Sequence, residues 1–309
     1  MTYIKIFLII AAAVFLILLL ASLFIFRSFA INARKEKHRE LRPEPWGSLG
    51  RRLIEDEKWF HTLAPDELWM EKNGIKLHGW YVKGKKERTV ILIHGWKDNA
   101  ERRMDSARFY YERGWNIFIP DLRAHGKSDG KYVGMGVIER SDIIDWITLL
   151  SEKYGMSDVL LDGISMGAAT TCALTGDFDL PSCVKAAVSD SAYTSLWELV
   201  PNIMDPLPTF IRPVFRIMTE MWCKLFAGYG FRQDEPIGKV RHSKTPTLFI
   251  HGENDDFVPF YMGKKMYDAC SAPKEYWAAP NAGHIMAWWM NQEEYDSRLD
   301  AFLNKYMPE

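Results

Sequence analysis

The sequence predicts an α/β fold built on a mostly parallel, doubly wound sheet and preceded by one N-terminal transmembrane helix. Three observations carry that prediction. Strand-like and helix-like stretches alternate from about residue 66 to the C-terminus, the order of a parallel sheet wound by crossover helices. The strand-like stretches are short continuous apolar runs, as strands covered on both faces should be. Ahead of them, Ile6 to Phe26 is 21 residues long without a charge. As a helix that run measures about 31 Å, enough to cross the hydrocarbon core of a bilayer.

The N-terminal segment, residues 1–30, reads as an uncleaved anchor. A cleavable signal peptide carries an apolar region of about 7–15 residues, shorter than this one, although Ser28-Phe29-Ala30 has the small residues of a cleavage site. Two indications of sidedness oppose each other. Lys5 precedes the segment, whereas Arg27, Arg34, Lys35, Lys37, Arg39 and Arg42 follow it. Flank charge of that kind keeps a domain in the cytoplasm, yet long domains translocate largely regardless of it. The expectation is a single-pass membrane protein with an extracellular-facing domain, the side being left open by the charges. Residues 31–65 are charged, contain Pro43, Pro45 and Pro65, and read as a juxtamembrane linker with some helix.

The body, residues 66–309, begins with ELWMEK and IKLHGWYVK flanking Asn73-Gly74, a hairpin with a favoured two-residue turn. Strands follow at 89–95, 116–120, 158–163, 184–190 and 246–251, with a weaker last one at 275–279. Helical runs lie near 100–113, 137–154, 166–176, 261–270 and 292–306. Between Ser195 and Lys244 the strand pattern stops, and the chain is rich in Trp, Met, Phe and Pro. This stretch reads as a helical cap over about 196–244, placed above the strand ends where open α/β sheets bind ligands.

Composition narrows the function. Lys+Arg number 39 against 40 Asp+Glu, a net charge of −1, so no basic excess exists for a nucleic-acid partner. Charged residues at 26% and hydrophobic ones at 48% are globular values. Cys172, Cys183, Cys223 and Cys270 are scattered without a CxxC pair, against a zinc site or a disulfide framework. Gly126-Lys127-Ser128 ends like a phosphate-binding loop, but Asp121 stands where that loop requires its first glycine. No metal site or cofactor is expected, and the oligomeric state is not legible.

The chemistry points elsewhere. Gly163-Ile164-Ser165-Met166-Gly167 matches G-x-S-x-G, a pattern that arises by chance in roughly one chain in ten of this length. Its setting is more specific: a strand (DVLLDG) precedes it and a helix (AATTCAL) follows, the sharp turn that exposes a serine hydroxyl. A serine is a poor nucleophile without a base beside it. His284, after the last predicted strand, is the candidate base; His94, His125 and His251 end other strands or turns and read as structural. The base needs a carboxylate to orient it. Asp255, directly after a strand, is favoured, with Asp256 and Asp190 as rivals. The oxyanion would be held by two backbone N–H groups, those of Met166 and, from the loop His94-Gly95-Trp96, of Trp96. Aromatic candidates for the pocket wall are Trp96, Tyr193, Trp222, Trp288 and Trp289, each as readily core as pocket.

Taken together, His94-Gly95-Trp96, D-x-R-x-H-G-x-S (121–128), G-x-S-x-G, H-G-x-x-D-x-x-V-P (251–259) and Gly283-His284 resemble the α/β-hydrolase superfamily over roughly 65–309. With its apolar N-terminus the chain looks like bacterial membrane-anchored hydrolases of the cell-surface type. The resemblance implies an α/β-hydrolase fold and a triad of Ser165, Asp255 and His284. One departure is Ala124, where the family often has glycine. The expected function is a membrane-anchored serine hydrolase that cleaves a small-molecule carboxylic ester through an acyl-enzyme. The alternatives are a serine peptidase or amidase of the acyl-peptidase type and a non-catalytic tethered binding protein.

Overall fold

The computed structural model describes residues 2–31, 46–205 and 207–308. Its centre is an 8-stranded sheet made of β1 (Asp66–Lys72), β2 (Ile75–Val82), β3 (Arg88–Ile93), β4 (Asn116–Asp121), β5 (Asp158–Ile164), β6 (Val184–Asp190), β7 (Thr247–Gly252) and β8 (Lys274–Ala279). The strand order is β1-β2-β4-β3-β5-β6-β7-β8. The hairpin of β1 and β2 turns at Asn73 and Gly74, both with positive φ (51° and 77°), the geometry whose twist suits two antiparallel strands. From β4 to β8 every pairing is parallel.

The apolar runs are continuous because both faces are covered. Val90 and Leu92 of β3 join one core with Ile117 and Ile119; Ile91 and Ile93 join the other with Phe118 and Leu161. On the first face lie α2 (Trp46–Thr62), α3 (Met104–Glu112) and, at the C-terminus, α11 (Gln292–Tyr306). On the second lie α4 (Glu139–Tyr154), α5 (Met166–Thr175) and α9 (Phe260–Ala269). Between β6 and β7 the chain forms α6 (Leu196–Ile203), α7 (Arg212–Trp222), a π-turn (Cys223–Ala227) and α8 (Pro236–Val240), and the short α10 (Ala287–Met290) precedes α11. Of the expected cap, α8 belongs to the helical layer, packed with α5 and α9. The insertion proper is therefore α6, α7 and the turn after them.

Two expected boundaries differ in the structure. Within the stretch read as a linker, α2 is part of the body: Leu53 and Phe60, seven residues apart on one helix face, are buried, and Asp56 meets Arg108 of α3 at 3.1 Å. Residues 32–45 of that stretch lie outside the described residues. The N-terminal helix α1 (Thr2–Ala30, 29 residues) is also not a separate object. Residues 2–17 are exposed, but from Leu18 onward the helix docks. Phe26, Phe29 and Ala30 are buried in the second core, Trp222 of α7 donates its indole N–H to Ser22 Oγ at 3.0 Å, and Val133 N donates to Ala30 O at 2.8 Å. Burying the two phenylalanines contributes roughly 1.5–3 kcal/mol each. Hydropathy registers such residues as apolar whether lipid or protein covers them.

Under the sheet, Asp162 of β5 accepts from Arg103 (2.8 Å) and from the Tyr110 hydroxyl (2.7 Å), all three groups being buried. Burial pushes the Asp162 carboxyl above its usual range while the Arg103 charge pulls it back. Removing one partner of a buried pair leaves an uncompensated charge, so Arg103→Met should destabilise the fold by about 3–5 kcal/mol. Urea denaturation at pH 7 reads this directly, and an unchanged midpoint would show that Asp162 is held protonated instead.

Candidate active site

Ser165 occupies the single residue between β5 and α5 with φ 53° and ψ −117°, a left-handed conformation that strains any non-glycine residue. The neighbours explain how it is held. Ser165 N donates to Asp190 O at 2.8 Å and Ser165 O accepts from Ala169 N at 2.9 Å. The flanking glycines have no room for a side chain: a Cβ on Gly163 would lie 2.3 Å from Gly167 O, and one on Gly167 would lie 2.2 Å from Ile93 O. The turn is thus clamped between β3, β6 and its own helix.

His284 and Asp255 reach the same point from the ends of β8 and β7. With the proton on Nδ1, His284 donates to Asp255 Oδ2 at 2.7 Å and accepts the Ser165 hydroxyl at Nε2 at 2.9 Å. Asp255 is fastened by its other oxygen, which accepts from Phe257 N (3.1 Å) and Val258 N (2.8 Å). Burial alone would raise its pKa, but hydrogen bonds from His251 and His284 outweigh that and hold it at about 2. The side chain is therefore an anion throughout the neutral range, as orienting and stabilising an imidazolium requires. The rival carboxylates are elsewhere. Asp256 is exposed, while buried Asp190 is pushed by desolvation up to about 6 and accepts from Ser191 Oγ.

His251 Nε2 donates to Val258 O at 2.9 Å beside Asp255, whereas His94 and His125 shape the loop after β3. His94 Nε2 accepts from Leu122 N (3.0 Å) and its Nδ1 donates to Gly95 O (2.8 Å). His125 Nε2 accepts from Lys97 N (3.1 Å) and its Nδ1 donates to Arg123 O (2.9 Å). Burial lowers their pKa values to about 4 and about 3, so both rings are neutral and keep an accepting nitrogen for those amides. Asp121 secures the same corner, accepting from Ala100 N, Lys127 N and His78. Ala124 adopts φ 60°, the conformation that glycine would supply, so the turn keeps its form at some cost in strain. Gly95 abuts Ser165: a Cβ on it would sit 3.4 Å from Ser165 Cβ. Met166 opens α5, where the first N–H groups have no acceptor within the helix and the dipole favours negative charge.

Of the aromatic candidates, Trp96 alone lines the apolar cavity beside this site. The cavity, about 520 Å³, lies between α1 and the inner faces of α6 and α7, a volume in the usual range of ligand pockets. Trp96 donates its indole N–H to Phe29 O at 3.0 Å and stacks near Phe257, which in turn packs 5.0 Å from the His284 ring. The others are corrected to different roles. Tyr193 is core, its hydroxyl donating to Met135 O at 2.7 Å. Trp222 fastens α7 to α1. Trp288 donates to Asp296 of α11 at 2.9 Å and, with Trp289, lies under the Arg52 guanidinium. Sequence reasoning missed Phe29, Met204 and Phe215 in the cavity wall. The legible signal was Ser22, a hydroxyl set inside an otherwise lipid-like run.

The alpha/beta hydrolase fold family model matches residues 88–216, which include β3, the serine turn and α6. The Pyrococcus furiosus esterase Pf2001 superposes with a TM-score of 0.65 at 26% identity, over 80% of this chain and 94% of its own. The chain has the α/β-hydrolase fold. Relatives of this hydrolase include the uncharacterized protein YqkD of Bacillus subtilis, 28% identical over 253 residues, 76% of this chain and 80% of YqkD. The alpha/beta hydrolase domain-containing protein WAV2 of Arabidopsis thaliana is 24% identical over 264 residues, 80% of this chain and 81% of WAV2.

Proposed function

We propose that this hydrolase is a membrane-anchored serine esterase working through an acyl-enzyme. The observation that carries the reading is the chain of two hydrogen bonds from Ser165 to His284 (2.9 Å) and from His284 to Asp255 (2.7 Å). In this reading His284 takes the Ser165 proton as Oγ attacks the ester carbonyl, and Asp255 stabilises the imidazolium that results. The oxyanion of the tetrahedral intermediate is received by the Met166 and Trp96 N–H groups. His284 then protonates the leaving alkoxide, and the same residue activates the water that releases the acid. His125, through Lys97, positions the Trp96 loop without touching substrate. The uncharged cavity beside Trp96 favours an acyl group over a charged peptide terminus, which supports an ester over a peptide.

An uncleaved anchor agrees with the packing of α1, because cutting after Ala30 would remove Phe26 and Phe29 from the core. The test is fluorophosphonate labelling of the full-length chain in detergent. Wild type should label at Ser165, and Ser165→Ala and His284→Ala should not. A folded wild type that fails to label overturns the proposal.

A further inference from the structure

The cavity beside Trp96 has one wall built by the N-terminal apolar helix. Ala21, Phe24, Ile25 and Phe29 of α1 form one side of it, and Ile203, Met204 and Phe215 are among the residues of the other. The depth of that wall follows from the helix itself. A span begins where charge ends, at Ile6, and about 20 residues at 1.5 Å each cross the hydrocarbon. The hydrocarbon therefore extends to about Phe26, and Ala21, Phe24 and Ile25 lie at acyl-chain depth. Within that span the fully exposed stretch, residues 6–17, measures only about 18 Å, shorter than the core of a bilayer at about 30 Å. The catalytic body must therefore sit down on the membrane rather than hang from it.

The outer surface of the cap fits that contact. Val214, Ile217, Met221 and Leu225 fall on one face of α7 and its continuation, all exposed, with Phe210 (83% exposed) ahead of them. The opposite face of the same helix carries buried Phe215 and Thr219 into the cavity. An amphipathic helix of this kind packed against a membrane-spanning one is suited to lie in the interface. Phe24, 73% exposed and also in the cavity wall, stands where cavity and lipid meet.

From this geometry we infer that the cavity is the acyl subsite for a long-chain fatty acyl ester, which enters laterally from the bilayer that holds α1. The chain passes Phe24, lies between α1 and α6–α7, and brings its carbonyl past Trp96 to Ser165. The inference rests on the reading of Ser165 as the acylated nucleophile and of α1 as a retained anchor. It makes α1 a specificity element as well as a tether.

The test uses the full-length chain in phosphatidylcholine nanodiscs. Ala21→Trp fills the cavity from α1, and Ile203→Trp fills it from the cap, so one block survives if the other variant fails to fold. For each, kcat/KM is measured on 4-nitrophenyl palmitate and 4-nitrophenyl butyrate. The palmitate-to-butyrate ratio should fall at least about tenfold from wild type, because the pocket for the distal methylenes is gone. A ratio unchanged in both folded variants overturns the inference. A second readout does not need turnover. Palmitic acid carrying a terminal diazirine, photolysed with the Ser165→Ala chain, should form adducts on Met204 or Phe215, which the fold walls off from bulk lipid, and Ala21→Trp should abolish them. Absence of such adducts also overturns it. Adducts in a chain whose wild type neither labels with fluorophosphonate nor turns over ester would overturn the hydrolase reading and the catalytic half of the inference, leaving a lipid-binding cavity.

Discussion

His284→Ala should lower kcat/KM for ester hydrolysis by about 10⁶-fold, the scale seen when a serine nucleophile loses its base. The reason is local. Ser165 Oγ has its hydrogen bond to His284 Nε2 at 2.9 Å, and among the described residues Asp255 (2.7 Å from Nδ1) is the carboxylate that orients that ring. Ser165→Ala should cost about as much, and the double variant no more than either alone, because the two groups act as a unit. Steady-state kinetics on a short ester checks all three. Losses that multiply in the double variant would mean that the residues act in separate steps, against an acyl-enzyme formed by the pair.

The second large effect is expected at Asp255. Asp255→Asn keeps the shape of the side chain, and its amide oxygen can still accept from Val258 N. Its NH₂ group, however, would face His284 Nδ1, forcing the ring into the tautomer with its proton on Nε2. That tautomer cannot receive the Ser165 proton, so kcat should fall by about 10⁴-fold. A near-normal rate would assign the orienting role to another group. The same carboxylate links activity to acid stability. Its folded pKa, about 2, lies below the usual value of about 3.9. The stabilisation is therefore complete above pH 4 and is lost as pH falls towards 2. Asp255→Asn should remove that component of acid unfolding, which denaturation midpoints between pH 5 and 2 would detect.

Much of this arrangement is legible in the amino-acid sequence. In a parallel sheet the loops at the carboxyl ends of the strands share one edge. A serine turn, an aspartate after a strand and a histidine after the last strand are therefore brought to one place by topology, whatever their distance in sequence. Ser165, Asp255 and His284 needed only their order and their strand ends. The aromatic residues had no such constraint. Tyr193, Trp222 and Trp288 follow strands or sit in helices just as Trp96 does, and one chain cannot reveal which way an indole turns. The docking of α1 was hidden for a different reason. Phe26 is equally at home in lipid and in a protein core, so hydropathy gives the length of the helix and not its neighbours.

The docked half of α1 limits how freely this hydrolase can be rebuilt. In many tethered enzymes the anchor is an interchangeable module, exchanged or deleted with little effect on the catalytic unit. Here a replacement helix would have to reproduce Phe26, Phe29 and Ala30 against the core, as well as Ser22 for Trp222. On the proposed reading of α1 as an anchor, evolution at these positions answers to two selective pressures at once, insertion into a membrane and fit to a partner surface. Drift in the N-terminal sequence should therefore be uneven, free along the first sixteen or so residues and restricted along the rest.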